Sequence, residues 1–149
     1  MIEFNDAMLD VSQNIFDTEN KRHEAIDTKA IGIISIAGIL ITFLIGFVKI
    51  EDYREVFFLT VFSFLISVIF SIWVLIPRKT HLLLFNELID KYEGTSQEIQ
   101  ITGIAATIWK TGKVLRKVCN TKATLLFISI IFLGTGVILL IILSLLRLF

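Results

Sequence analysis

The sequence predicts an all-α integral membrane protein, a helical bundle of three transmembrane helices with cytoplasmic amphipathic helices. Two observations set the class and a third sets the orientation. Ala30–Val48, Val56–Ile76 and Ala123–Leu146 are apolar runs of 19, 21 and 24 residues that hold no charged side chain. A helix rising about 1.5 Å per residue needs about 20 residues to cross a hydrocarbon core of about 30 Å. The chain is also 55 % hydrophobic, with a mean hydropathy of +0.81, against about 45–50 % apolar content in soluble domains. Finally, the basic residues are unevenly distributed. With three spans, residues 1–29 and 77–122 share one side of the membrane, and they carry 11 of the 14 Lys and Arg residues. The other side keeps Lys49, Arg54 and Arg147. Cytoplasmic segments retain Lys and Arg, so the N-terminus and 77–122 are expected inside the cell and the C-terminus outside.

The expected layout is one membrane domain over residues 1–149. Residues 5–29 read as a cytoplasmic helix. Met8, Val11 and Ile15 share a face, with Leu9 and Phe16 beside it, at the spacing of an amphipathic stripe. No Pro or Gly interrupts this stretch before Ala30, so the helix can run into the first span without a turn. Twenty-nine mostly polar residues ahead of a run of full spanning length do not form a cleavable signal peptide. The connection from Lys49 to Glu55 is short, which makes the first two spans an antiparallel hairpin. Tyr53 and Trp73 sit where interfacial aromatic residues anchor span ends.

Pro77 marks the end of the second span, because proline restricts its predecessor to extended backbone. Residues 81–92 form a further amphipathic piece through Leu84, Phe85, Leu88 and Tyr92. Glu93-Gly94 breaks it. Thr95 and Glu98 then match a capping box, in which hydroxyl and carboxylate each take a free backbone N–H. Ile101, Ile104, Ile108 and Leu115 continue a stripe, and no proline follows as far as Leu146. A long helix from there into the third span is the expectation. Ile99–Trp109 is too short to be a span of its own.

Equal numbers of acidic and basic residues, 14 each, give no field for a nucleic acid polymer. No Asp, Glu, Lys, Arg or His lies inside a span, which speaks against proton relays, voltage sensors and charge-selective transporters. Phosphate-loop, serine-hydrolase and zinc-protease patterns are missing from the sequence. It therefore reads as non-enzymatic, with no catalytic residue, no metal site and no cofactor. Lys110, Lys113, Arg116 and Lys117 form a basic stretch ahead of the third span. Its plain role is retention and attraction to anionic headgroups, and its sharper role is contact with a nucleotide phosphate. Cys119 is the single cysteine, placed near the membrane surface, where it is an incidental thiol or a lipidation site.

Two small-residue ladders stand out. Gly38, Thr42 and Gly46 recur every four residues in the first span, and Ser63, Ser67 and Ser71 in the second. Residues four apart share a helix face, and small faces let helices approach closely in lipid. The ladders are expected to pack the hairpin or, in an oligomer, to line a water path. Gly134 and Gly136 mark either a flexible point or a close contact.

The segment Ala25-Ile26-Asp27-Thr28-Lys29-Ala30, leading straight into Ile31–Val48, resembles the first-span start of a group of prokaryotic membrane effectors. The group includes the Pycsar transmembrane effectors and the related SLATT domains. The resemblance covers residues 15–77 well and the remainder in outline, and Asn120-Thr121-Lys122-Ala123 partly echoes it ahead of the third span. It implies an anti-phage effector that compromises the inner membrane when a partner detects infection, often through a cyclic nucleotide. It also implies Asp27 and Lys29 as gate or assembly contacts. The chain departs from that picture in having no separate sensor domain, since residues 77–122 number only 46. The expected partners are the lipid bilayer, further copies of the chain, and a cyclic nucleotide or sensor protein. The rival reading is an accessory or scaffold subunit of a larger membrane complex, docked through its amphipathic helices.

Overall fold

The computed structural model describes residues 2–47, 53–77, 94 and 96–146. They form three α-helices: α1 (Ile2–Phe47), α2 (Arg54–Leu75) and α3 (Gln97–Leu146). Each is long and apolar enough to cross a membrane, and the predicted all-α membrane class holds. The expected helix over 5–29 and the first span form one continuous helix. The fifty residues of α3 likewise run unbroken, past Gly103 and Gly112. The piece expected over 81–92 and the cap at Thr95 lie outside the described residues.

Local chemistry accounts for the helix ends. Before Pro77, Ile76 adopts φ −58° and ψ 121°, which is extended backbone, while its N–H still bonds the carbonyl of Ile72. This is the conformation a following proline imposes. Gly94 has φ +83°, a left-handed value that glycine adopts without steric cost. The carbonyl of Ser96 accepts from Ile99 and Gln100 N–H, both at 3.0 Å, as α3 begins. Within the helices, hydroxyls donate to the carbonyl four residues back, as Ser35 does to Ile31 and Thr135 to Ile131. A hydroxyl so bonded can face hydrocarbon without an unmet donor.

The chain gathers into two compact units, Met1–Glu24 with Pro77–Thr121, and Ala25–Ile76 with Lys122–Phe149. In the first, α1 and α3 meet closely at Gly112, where an added Cβ would stand 3.4 Å from Ile15 Cγ2. Cys119 is fully buried there and its thiol donates to the Glu19 carbonyl at 3.5 Å. The thiol is thus turned inward between α1 and α3, which speaks against the lipidation reading.

In the second unit, α1 presents an inward stripe of Ile26, Ala30, Ile33, Ala37 and Leu44. One end closes around Leu44, Phe57, Leu140 and Leu143, flanked by Leu40, Val56 and Val61. Tyr53 Oη donates to the carbonyl of Leu146 at 3.1 Å, tying the start of α2 to the end of α3. Further along, Phe70 stacks on Phe132 at 6.3 Å. Large apolar side chains such as Ile39, Phe62, Phe127 and Ile138 point outward. In a bilayer that surface meets acyl chains, at no hydrophobic cost.

Candidate functional site

The second unit holds an ion pair joining the starts of two apolar runs. Lys122 Nζ lies 2.7 Å from Asp27 Oδ1 and donates to it. The lysine side chain is 1 % exposed and the aspartate 28 %. A buried ammonium is tolerated only with a close counter-charge, and Asp27 supplies it from α1. Of the two residues implied by the resemblance, Asp27 faces inward and Lys29 is exposed. Two residues apart on a helix lie about 200° apart round its axis, so they cannot share a face. The partner of Asp27 is instead the lysine of the echoed segment Asn120-Thr121-Lys122-Ala123. The repeated Thr-Lys-Ala was the signal, and its meaning depended on which face of α3 turns inward.

One to two turns further along, three hydroxyls meet between α2 and α3. Ser67 Oγ donates to the Ser129 carbonyl at 2.9 Å, and Ser129 Oγ to the Ser67 carbonyl at 2.8 Å. Ser71 Oγ lies 2.7 Å from Ser129 Oγ. All three serines are fully buried. Ser63 is buried too and donates to the carbonyl of Leu59. Ser67 and Ser71 of the ladder therefore pack on α3, through a serine that sequence reasoning had not singled out.

Gly38, Thr42 and Gly46 are exposed, and nothing stands within 4 Å of a Cβ added at either glycine. The small residues that α1 turns inward are Ala30 and Ala37, and Ala37, one position before Gly38, lies about 100° from it round the helix. Hairpin packing by the Gly38 ladder is corrected accordingly. Gly136 is the close contact anticipated in the third span: an added Cβ would stand 2.5 Å from Phe64 Cε1, whereas Gly134 faces open space.

The first unit contains a cleft of about 440 Å³ between facing stripes of α1 and α3. Val11, Asn14, Ile15 and Thr18 line one side, and Trp109, Gly112, Lys113 and Arg116 the other, with Glu19 at the edge. Lys113 Nζ sits 5.1 Å from the centre of the Trp109 ring. Arg116 Nε lies 3.7 Å from Glu19 Oε1, and Arg22 Nη1 3.5 Å from Oε2. Glu19 is buried, and its Oε2 accepts no hydrogen bond among the described residues. Of the basic stretch, Lys113 and Arg116 line this cleft. Sequence reasoning missed Trp109 and Glu19; the latter is brought to Arg116 by tertiary packing alone.

Residues 13–149, nearly the whole chain, match the family described as the Pycsar effector protein domain. No curated protein and no solved structure matches the chain. Three apolar helices and this match make it a multi-pass membrane protein, and the chain belongs to the Pycsar effectors, membrane effectors of anti-phage defence that respond to cyclic nucleotide signals.

Proposed function

We propose that the chain is a non-enzymatic effector that oligomerises and permeabilises the inner membrane when a cyclic nucleotide or a sensor protein signals infection. In this reading the N-terminus and residues 77–122 are cytoplasmic and the C-terminus is outside. The observation that carries it is the Asp27–Lys122 pair. A buried pair can be strongly destabilised by disturbing one partner, because the other charge is then left without compensation. That makes it a suitable latch for two-state behaviour, with the signal shifting the population toward an open form. The serine hydroxyls are engaged with one another inside the protomer, so a leak calls for rearrangement or assembly. The exposed Gly38–Thr42–Gly46 face suits close contact with a neighbouring span, and the exposed Lys29 is an assembly contact.

The test is ion and dye efflux from liposomes carrying the purified chain, alone and with cyclic nucleotides. Nucleotide-dependent efflux, together with leakage from Asp27→Ala in the absence of nucleotide, supports the latch. Tight vesicles under every condition, with inserted and oligomeric protein, favour the scaffold-subunit reading instead.

A further inference from the structure

The first unit divides its charge between two helices. Residues 1–24, in α1, carry six acidic and two basic residues, whereas residues 97–121, in α3, carry four basic and one acidic. One copy makes little use of this contrast. Glu19 pairs with Arg116 across the two helices, but Asp10, Asp17, Lys110 and Lys117 are exposed and make no ion pair among the described residues. Asp10 and Asp17 are two turns apart on one side of α1, and Lys110 and Lys117 are two turns apart on one side of α3. Between the helices runs an open groove, two cavities of about 440 and 450 Å³ that share Val11 and Trp109. Its walls are Met8, Val11 and Ile15 on α1 and Ala106, Trp109 and Lys113 on α3. Both walls follow the alternating three- and four-residue spacing of a helix–helix seam. Val11 and Trp109, at its middle, are 56 % and 42 % exposed, so a single copy leaves the apolar part of the seam uncovered.

We propose that this groove is where two copies of the chain dock, the two grooves facing each other so that each α1 packs on the α3 of the other copy. The proposal rests on the reading of the chain as an oligomerising effector, and it names an interface for that assembly. Copies in one bilayer are related by an axis along the membrane normal, so equivalent residues stand at equal height. The contacts within a copy set the heights of α1 against α3: Ile15 is level with Gly112 and Glu19 with Arg116. Asp17 of the second copy therefore comes level with the stretch from Lys113 to Lys117. Asp10 comes level with Thr107, within one turn of Lys110. The acids and bases that one copy leaves unused thus meet at the height where each is needed. Around the resulting four-helix bundle α1 and α3 alternate, so Glu19 and Arg116 alternate too, and each stands beside its opposite charge. The apolar middle supplies a buried contact, and the charged flanks fix partner and register.

The experiment reconstitutes the full chain in liposomes of zwitterionic lipid, as copies bearing a donor or an acceptor fluorophore at the C-terminus, with and without cyclic nucleotides. Energy transfer reports docking. The acid-reversed variant Asp10→Lys/Asp17→Lys and the base-reversed variant Lys110→Glu/Lys117→Glu are each expected to self-associate about tenfold more weakly than the native chain. All four positions are exposed, so helix content and unfolding midpoint are expected to be retained. Mixed together, the two variants are expected to recover transfer, because each offers the charge the other has lost. Val11→Glu, which sets a carboxylate in the apolar middle, is expected to weaken docking in every pairing.

Transfer that is unchanged in both reversed variants overturns the interface. So does a mixture no better than either variant alone, or an absence of transfer in the native chain. Crosslinking of Val11→Cys to Leu88→Cys within single copies, one per vesicle, would give the groove to the chain's own 81–92 stretch. Transfer that requires phosphatidylglycerol and ignores the charge reversals would make it a lipid contact. The efflux assay separates this interface from the effector reading. Nucleotide-gated efflux undiminished in both reversed variants removes the interface and leaves the effector standing. Docking that is lost on reversal and recovered on mixing, with vesicles that stay tight, removes the permeabilising reading and leaves the interface.

Discussion

Lys122 reaches Asp27 at 2.7 Å from a side chain that is almost wholly withdrawn from solvent. The two residues are 95 positions apart in sequence, and each stands just ahead of an apolar run. Truncating the acid strands a buried ammonium, whereas replacing the lysine with an apolar chain of similar length removes the need for the acid. Asp27→Ala is therefore expected to lower stability by about 2 kcal/mol, a buried-pair loss reduced because the aspartate is partly exposed. Lys122→Met is expected to cost less, and the double variant Asp27→Ala/Lys122→Met to recover most of the loss. Thermal unfolding in detergent checks this, and a fully additive double variant would contradict it.

The hydroxyl cluster of Ser67, Ser71 and Ser129 makes a graded prediction. Ser129→Ala deletes bonds to both other serines and is expected to cost about 1 kcal/mol, in keeping with interhelical hydrogen bonds in membranes. Ser67→Leu must also fit a larger side chain into a fully buried position, with a further overpacking cost of about 1–3 kcal/mol. Reduced protein level for Ser67→Leu, and a milder effect for Ser129→Ala, is the expected pattern. Wild-type levels of Ser67→Leu protein with lost toxicity would instead point to a conduction path.

Gly136 and Gly134 form an internal control. Gly136→Ala is expected to destabilise by about 1–3 kcal/mol, because its Cβ would collide with Phe64. The variant Phe64→Leu should relieve part of that cost in the double mutant. Gly134→Ala meets nothing within 4 Å and is expected to be neutral or slightly stabilising through helix propensity. Unfolding midpoints for the four variants decide it.

Gly38→Leu and Gly46→Leu separate folding from assembly. Both positions are open within the protomer, so its unfolding midpoint is expected to stay unchanged or rise slightly through helix propensity. If the face meets a neighbouring copy, cysteine crosslinking between protomers and efflux should both fall. Unaltered crosslinking would assign the face to lipid.

The spans were legible because charge is so costly in hydrocarbon that it marks their ends. α2, Arg54–Leu75, starts and ends within two residues of the apolar run Val56–Ile76, whereas α1 begins at Ile2 and leaves the start of the run at Ala30 unmarked. The continuity of α1 and α3 was legible from the lack of proline. Facing was not. A lysine ahead of a span ordinarily snorkels to the headgroups, and nothing local marks Lys122 as turned inward. The Gly38 ladder and the Ala30–Ala37 stripe are both plausible contact faces on sequence grounds, and only the partner helices choose between them. Ser129 stood alone among apolar residues, without a ladder to draw notice.

The fit of Phe64 against Gly136 also limits how this bundle can move. A slide of α3 along α2 by one helical turn, about 5.4 Å, would bring Phe132 or Leu140 to the place Gly136 occupies. Neither leaves a slot for the ring. The contact acts as a mechanical detent that holds α2 and α3 in a single register, with the serine bonds close by reinforcing it. The ring of Phe64 thus sets the register of α2 against α3, while α1, the helix that holds Asp27, carries no such detent among the contacts described.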